Sequence, residues 1–161
     1  MRKFLRACAF VSISLLPAFS ATAQTLADRK ALPLATARKM AEAAETFAMQ
    51  NNWKMVICLM DEGGNLIYLE RMDGSPLGSI GVAQEKALSS AKFSSPTKNF
   101  EDAVAKGGHN MLRLGVMPFE GGLPIMVSGR MIGAIGVSGG SAAQDGQVAK
   151  AAADWLAAAL K

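Results

Sequence analysis

The chain has 161 residues, half of them hydrophobic, with 17 Lys and Arg against 13 Asp and Glu for a formal net charge of +4. Three of the basic residues and none of the acidic ones lie in residues 1–23, so residues 24–161 carry 14 basic (17 − 3) against 13 acidic side chains. This near-neutral balance gives no support for binding to nucleic acid or to an anionic membrane surface.

The first 23 residues have the three parts of a secretory signal peptide. Three basic residues, Arg2, Lys3 and Arg6, precede an apolar run over 7–16, and Ala21-Thr22-Ala23 is the small-residue pattern of a cleavage site. The run is too short for a membrane span of about 20 residues, so it predicts no stable membrane anchor. We expect cleavage between Ala23 and Gln24 and a periplasmic or secreted protein.

Residues 24–161 are the right length for one domain, and we find no internal linker in them. Hydrophobic periodicity and turn residues predict the secondary structure of this domain. In chain order, the predicted elements are a helix over 34–51, a strand over 53–60, a turn over 61–65, a strand over 66–72, helices over 77–93 and 98–106, a loop with a short strand over 111–122, a hairpin turning at Ser128-Gly129-Arg130, and a helix over 142–160.

This order of helices and hairpins predicts an α+β fold in which helices cover an antiparallel sheet. Gly133 and Gly136 lie inside the last strand, where a missing side chain indicates either a closely packed helix or a ligand against bare backbone. The many alanine and glycine residues predict flat surfaces that bury well between subunits, so we expect a homo-oligomer.

Several common active sites are absent from the sequence. It has no Gly-x-Ser-x-Gly elbow, no Cys-x-x-Cys pair and no P-loop, and its one histidine excludes a His-rich zinc site. Cys58 is the one cysteine of residues 24–161 and lies in an apolar run, which favours a buried structural role.

Motifs along nearly the whole of residues 24–161 resemble the GlcG/HbpS family, which is related to the C-terminal domain of PduO-type corrinoid adenosyltransferases. The resemblance implies a profilin-like fold with three α/β/α layers, assembly into oligomers and, in several members, haem binding. The motifs that carry it are Asn51-Asn52-Trp53, Asp61-Glu62-Gly63-Gly64, Arg71-Met72-Asp73, Gln84-Glu85-Lys86-Ala87, Ser95-Pro96-Thr97, Gly121-Gly122-Leu123-Pro124 and the segment 132–139.

Two residues are candidate ligands of a haem iron. His109 is the only histidine, and imidazole is a frequent axial ligand; the alternative is an exposed loop histidine. Thr97 matches a family position implicated in the haem pocket, and it is equally suited to cap the helix that follows, with Glu101 near the spacing of a capping box.

Charged side chains offer a second set of candidates. Glu85 and Lys86 are expected on the solvated face of their helix, although Lys86 or Arg71 could pair with a haem propionate. Asp145 is interpreted as stabilising the start of the last helix. The acidic turn that begins at Asp61 is attributed to local hydrogen bonds and to glycine conformations.

Three hypotheses of function follow. The first is an exported, oligomeric protein that binds haem or a related tetrapyrrole, with His109, Thr97, Arg71, Lys86, Gly133 and Gly136 as candidate binding residues and slow haem degradation as an added activity. The second is an enzyme without a cofactor that acts on a small carboxylate or hydroxy acid, with Glu85 as base and Arg71 or Lys86 as anion clamp. The third is an assembly partner without a ligand.

Overall fold

The structure is a computed structural model that describes residues 29–161, so the predicted signal peptide lies outside the described residues and stays a prediction. None of the helices in 29–161 is long and apolar enough to cross a membrane. The elements are α1 (Leu34–Gln50), β1 (Val56–Asp61), β2 (Leu66–Arg71), α2 (Ser79–Phe93), α3 (Thr97–Ala105), a 3-10 helix (His109–Leu114), β3 (Gly122–Val127), β4 (Arg130–Ser138) and α4 (Ala142–Ala159).

The four strands form one antiparallel sheet in the order β2-β1-β4-β3. Alternate residues of the central strand β1 enter two cores, because successive side chains of a strand point to opposite faces. Ile57 and Leu59 pack in the core under α1 and α4, whereas Val56 and Cys58 pack in the core under α2. The α+β fold with three α/β/α layers is therefore confirmed.

The predicted elements match the observed ones except between α3 and β3. The sequence predicted a loop with a short strand over 111–122, but the chain forms the 3-10 helix at His109–Leu114 and enters β3 only at Gly122. No residue of this 3-10 helix is buried. Because burial is what gives an amphipathic helix its hydrophobic period, the segment carried no period to detect.

Both hairpin turns follow from their residues. Ser128 and Gly129 have φ of 51° and 76°, the left-handed conformations that a two-residue turn needs between β3 and β4. In the β1–β2 turn, Asp61 Oδ1 accepts hydrogen bonds from the backbone N–H of Gly63 at 2.9 Å and of Asn65 at 2.8 Å. Hydrogen bonds, first those from Asn65, hold the pKa of Asp61 below its usual value. The structural interpretation of this turn is confirmed.

Cys58 is fully buried on β1, and burial raises the pKa of its thiol to about 12. A thiol with this pKa stays protonated at neutral pH, whereas a nucleophile or metal ligand has to be a thiolate. Cys58 is thus a small core residue, as predicted.

Candidate functional site

The Gly121-Gly122 segment at the start of β3 is the point where α2, α3 and α4 meet. A Cβ built on Gly121 would lie 2.8 Å from Asp145 Cβ and 2.9 Å from Lys86 Nζ. A Cβ built on Gly122 would lie 2.6 Å from Thr97 Cγ2. Only glycine leaves room for these three side chains, so the segment brings together residues that are far apart in the sequence.

Lys86 and Asp145 form a buried ion pair at this point. Lys86 Nζ donates to Asp145 Oδ2 at 2.7 Å and to the carbonyl oxygen of Val137 at 3.1 Å, and the two side chains are only 2% and 4% exposed. The prediction that Lys86 lies on a solvated face is wrong. Lys86 is three residues after the buried Ala83, so the helix turns it toward the sheet.

The carboxylate of Asp145 uses both of its oxygens. Oδ1 accepts the backbone N–H of Gly140 at 3.0 Å, while Oδ2 binds Lys86. Burial raises the pKa of Asp145, and the hydrogen bonds from Lys86 and Gly140 act against that rise. Asp145 does lie in the first turn of α4, as expected, but the helix start is capped by Ser141 and Gln144, and the main partner of Asp145 is Lys86.

Thr97 is fully buried and is the first residue of α3. Its Oγ1 accepts the backbone N–H of Gly122 at 2.9 Å, so it connects α3 to β3 and does not cap its own helix. The predicted capping box is wrong, since the residue before the helix is Pro96 and the carboxylate of Glu101 accepts the N–H of Glu120 at 2.6 Å. The enclosed hydroxyl of Thr97 presents no open face to a macrocycle.

An open pocket of about 350 Å³ lies beside the ion pair. Its volume is at the lower end of the range for small-molecule sites. Val82, Met117 and Phe119 supply apolar wall, and Phe119 is 54% exposed. The N–H of Met117 donates to Ser89 Oγ at 2.8 Å, which fixes this wall to α2. The remaining lining residues are Lys86, Ser138, Gly140, Ala142 and Asp145.

The other charged candidates are not assembled. Glu85 and Arg71 are exposed, on α2 and at the end of β2 respectively. Among the contacts described for 29–161, no hydrogen bond or ion pair joins any two of Glu85, Arg71 and Lys86, and Lys86 is already paired with Asp145. The set of base and anion clamp that a carboxylate enzyme requires is therefore not brought together in the described structure.

Gly133 and Gly136 face protein rather than the pocket. A Cβ built on Gly136 would overlap the carbonyl oxygen of Ala83 and lie 2.5 Å from the nitrogen of Ala87, both in α2. A Cβ on Gly133 would lie 3.2 Å from Leu32 Cδ2. Of the two alternatives, a closely packed helix accounts for Gly136, whereas Gly133 is covered by Leu32, which lies just before α1, and by the carbonyl oxygen of Met60 in β1.

The segment that precedes the pocket wall in the sequence carries exposed side chains of the types that bind haem. His109 is exposed at the start of the 3-10 helix, and Leu112 and Leu114 in the same helix are 48% and 53% exposed. Lys106 and Arg113 are exposed on either side of His109. This combination of one imidazole, apolar surface and basic groups fits a haem, with Met117 as a soft sulfur donor in the pocket. Sequence reasoning did not single out Lys106 and Arg113, because neither residue belongs to a recognisable motif.

Comparison with known proteins agrees with the fold and the motifs. The family model described as "Haem degrading protein HbpS-like" matches residues 32–154. Protein GlcG of Escherichia coli is 41% identical over 97 residues, covering 60% of this chain and 72% of GlcG.

Two solved structures have the same fold. That of a double mutant of Streptomyces reticuli HbpS has a TM-score of 0.75 and 28% identity, covering 87% of this chain and 99% of that one. That of a complex of PduOC with haem has a TM-score of 0.71 and 28% identity, covering 78% of this chain and 94% of that one. With most of its length matched by the family model, the chain belongs to the HbpS-like family.

Proposed function

We propose that this protein binds haem at the pocket beside Lys86 and Asp145, with His109 as the axial ligand of the iron. The observation that supports the proposal is the segment 106–119, in which the only histidine, two basic side chains and exposed leucines precede the pocket residues Met117 and Phe119 in the sequence. The similar PduOC structure contains haem, and the family is described by haem degradation.

The protein's own groups have separate tasks in this proposal. Val82, Met117 and Phe119 would supply apolar contact to the macrocycle, and Leu112 and Leu114 are further exposed apolar side chains that precede this wall in the sequence. His109 is exposed and is not among the residues that line the pocket, and its imidazole would be the ligand of the iron. When bound, haem supplies the iron chemistry of any slow degradation, and the protein supplies position and surroundings.

Titration of the full chain with ferric haem tests this function. We expect a saturable, red-shifted Soret band for the wild type that is lost or strongly weakened in His109→Ala, because the substitution removes the imidazole ligand. Asn110→Ala changes the neighbouring exposed residue and should keep the band.

A full Soret band in both His109→Ala and Asn110→Ala would mean that another residue is the iron ligand, with Met117 as the next candidate. No band in any variant would refute haem binding and favour the assembly partner without a ligand. Loss of the band in air with ascorbate, faster than for free haem, is expected if the protein also degrades haem; an unchanged band would remove that part of the proposal.

We also propose export and oligomerisation. Expression of the full chain in a bacterium with two membranes should yield periplasmic protein whose mass corresponds to a chain that begins at Gln24.

Sedimentation of that material should give a mass that is a multiple of one subunit, because apolar side chains such as Leu77 are more than half exposed in a single chain. Cytoplasmic protein that still begins at Met1 would contradict export. A monomer in sedimentation would contradict assembly.

A further inference from the structure

The pocket residues Met117 and Phe119 belong to a stretch of chain between the 3-10 helix and β3, the wall segment of residues 116–120. Among the backbone–backbone hydrogen bonds described for 29–161, none involves a residue of the wall segment. Val116 is its only buried side chain. Because few buried contacts and no backbone ladder hold the wall segment, it can open locally more easily than the sheet.

Two side chains from helices hold the backbone of the wall segment. The N–H of Met117 donates to Ser89 Oγ at 2.8 Å, and the N–H of Glu120 donates to Glu101 Oε2 at 2.6 Å. Ser89 lies on α2 and is buried, whereas Glu101 lies on α3. The acceptor on Glu101 is a carboxylate, which makes its hydrogen bond stronger than one between neutral groups. The wall segment is therefore fixed near each of its ends to a different helix.

A glycine with positive φ lies at each end of the wall segment. Gly115 has a φ of 65° and Gly121 a φ of 128°. Glycine adopts such conformations without the steric cost that other residues carry, and loop residues at hinges absorb the changes of φ and ψ when a loop moves. The wall segment can therefore move as one unit, while the carbonyl oxygen of Gly121 keeps its hydrogen bond from the N–H of Val137.

We infer that Ser89 and Glu101 are positioning residues that together hold the wall segment against the pocket, as a single unit that loosens when either hydrogen bond is lost. In the held position, Met117 and Phe119 are preorganised for apolar contact with a ligand, so binding does not have to order them. The hold on the wall segment is a property of the free protein. Its effect on affinity rests on the haem binding proposed above.

Hydrogen exchange of the backbone amides, measured by NMR on the full chain without haem, tests whether the wall segment is a single unit. One acceptor is removed, and exchange is followed at the amide that the other acceptor holds. Ser89→Ala should speed exchange of the Glu120 N–H roughly threefold to tenfold, the equivalent of one hydrogen bond. Glu101→Ala should do the same for the Met117 N–H. Glu101→Gln keeps an oxygen acceptor and should restore slow exchange at Met117.

Asp102→Ala is the matched control for the change at Glu101. Asp102 is the next residue on α3, and its partner is Lys98, which is 43% exposed. The exchange of the Met117 N–H should not change in this variant. Unchanged exchange at the far amide in both Ser89→Ala and Glu101→Ala would overturn the inference, since the two hydrogen bonds would then act separately.

The amide of Leu59, a fully buried residue of β1, is the internal reference for these measurements. Its exchange should stay slow in every variant, because the sheet does not depend on the wall segment. Equal acceleration at Leu59 would also overturn the inference, since the whole fold rather than the wall segment would have loosened.

The rate of haem release, followed at the Soret band, measures the consequence for the ligand. Ser89→Ala and Glu101→Ala should release haem roughly threefold to tenfold faster than the wild type, whereas Glu101→Gln and Asp102→Ala should behave like the wild type. Equal release rates in all the variants would overturn the positioning role. A missing Soret band in the wild type would instead refute the proposed function, and amide exchange would still decide the hold on the wall segment.

Discussion

Asp145→Ala is expected to lower the free energy of unfolding by roughly 3–5 kcal/mol, the usual cost of breaking a buried ion pair by removing one partner. The substitution leaves the Lys86 ammonium, 2% exposed, next to the carbonyl oxygen of Val137 with no opposite charge. It also removes the acceptor of the Gly140 N–H. Chemical denaturation followed by circular dichroism measures the change.

A surface pair on the same helix provides the control. Asp154 binds Lys150 at 2.5 Å, but both side chains are more than 60% exposed. Asp154→Ala should therefore cost only about 0–1 kcal/mol. A double variant, Lys86→Met with Asp145→Leu, removes both charges together and should be clearly more stable than Asp145→Ala alone. If Asp145→Ala were no more harmful than Asp154→Ala, the buried pair would not hold α2 to α4.

Gly136→Ala is expected to destabilise the protein by about 3 kcal/mol or more, at the upper end of the costs of overpacking. The added methyl group would meet the backbone of α2 at Ala83 and Ala87, and backbone atoms cannot turn aside as a flexible side chain can. Either α2 moves away from β4 or the sheet bends, and both changes open the core around Cys58, the residue opposite Gly136 on β1.

Gly81→Ala is the matched control for this change. Gly81 lies in α2 itself and is exposed, and a Cβ built there has no atom within 4 Å. Because alanine is the better helix former, Gly81→Ala should stabilise the protein by about 0.5–1 kcal/mol. Thermal or urea denaturation of the two variants should thus move in opposite directions. A neutral Gly136→Ala would show that α2 packs less closely on β4 than the structure has it.

The elements of this fold could be predicted from local patterns. Alternating or continuous apolar residues marked the strands, helical spacing marked α1, α2 and α4, and the turn at Ser128-Gly129 followed from residues that accept positive φ. The one element missed, the 3-10 helix at His109–Leu114, buries nothing and therefore has no pattern.

The candidate site was only partly accessible in the same way. Lys86, Thr97 and Gly121-Gly122 lie in motifs that resemble the family. The predicted solvated position of Lys86 is wrong, and the sequence left Thr97 with two possible roles, in a haem pocket or as a helix cap. Lys86 sits at a helical spacing from Ala83 that indicates burial, yet a lysine is seldom buried without a partner. That partner, Asp145, is 59 residues away in the sequence.

The sequence by itself determined the order of the elements, the α+β class and the presence of a single histidine, because these depend on neighbouring residues and on composition. Only the tertiary structure decided that Lys86 and Asp145 neutralise each other, that Thr97 binds Gly122, and that α2 covers Gly136. These contacts join residues from different elements, and the pairing of distant charges depends on how the helices pack on the sheet, which no local pattern encodes.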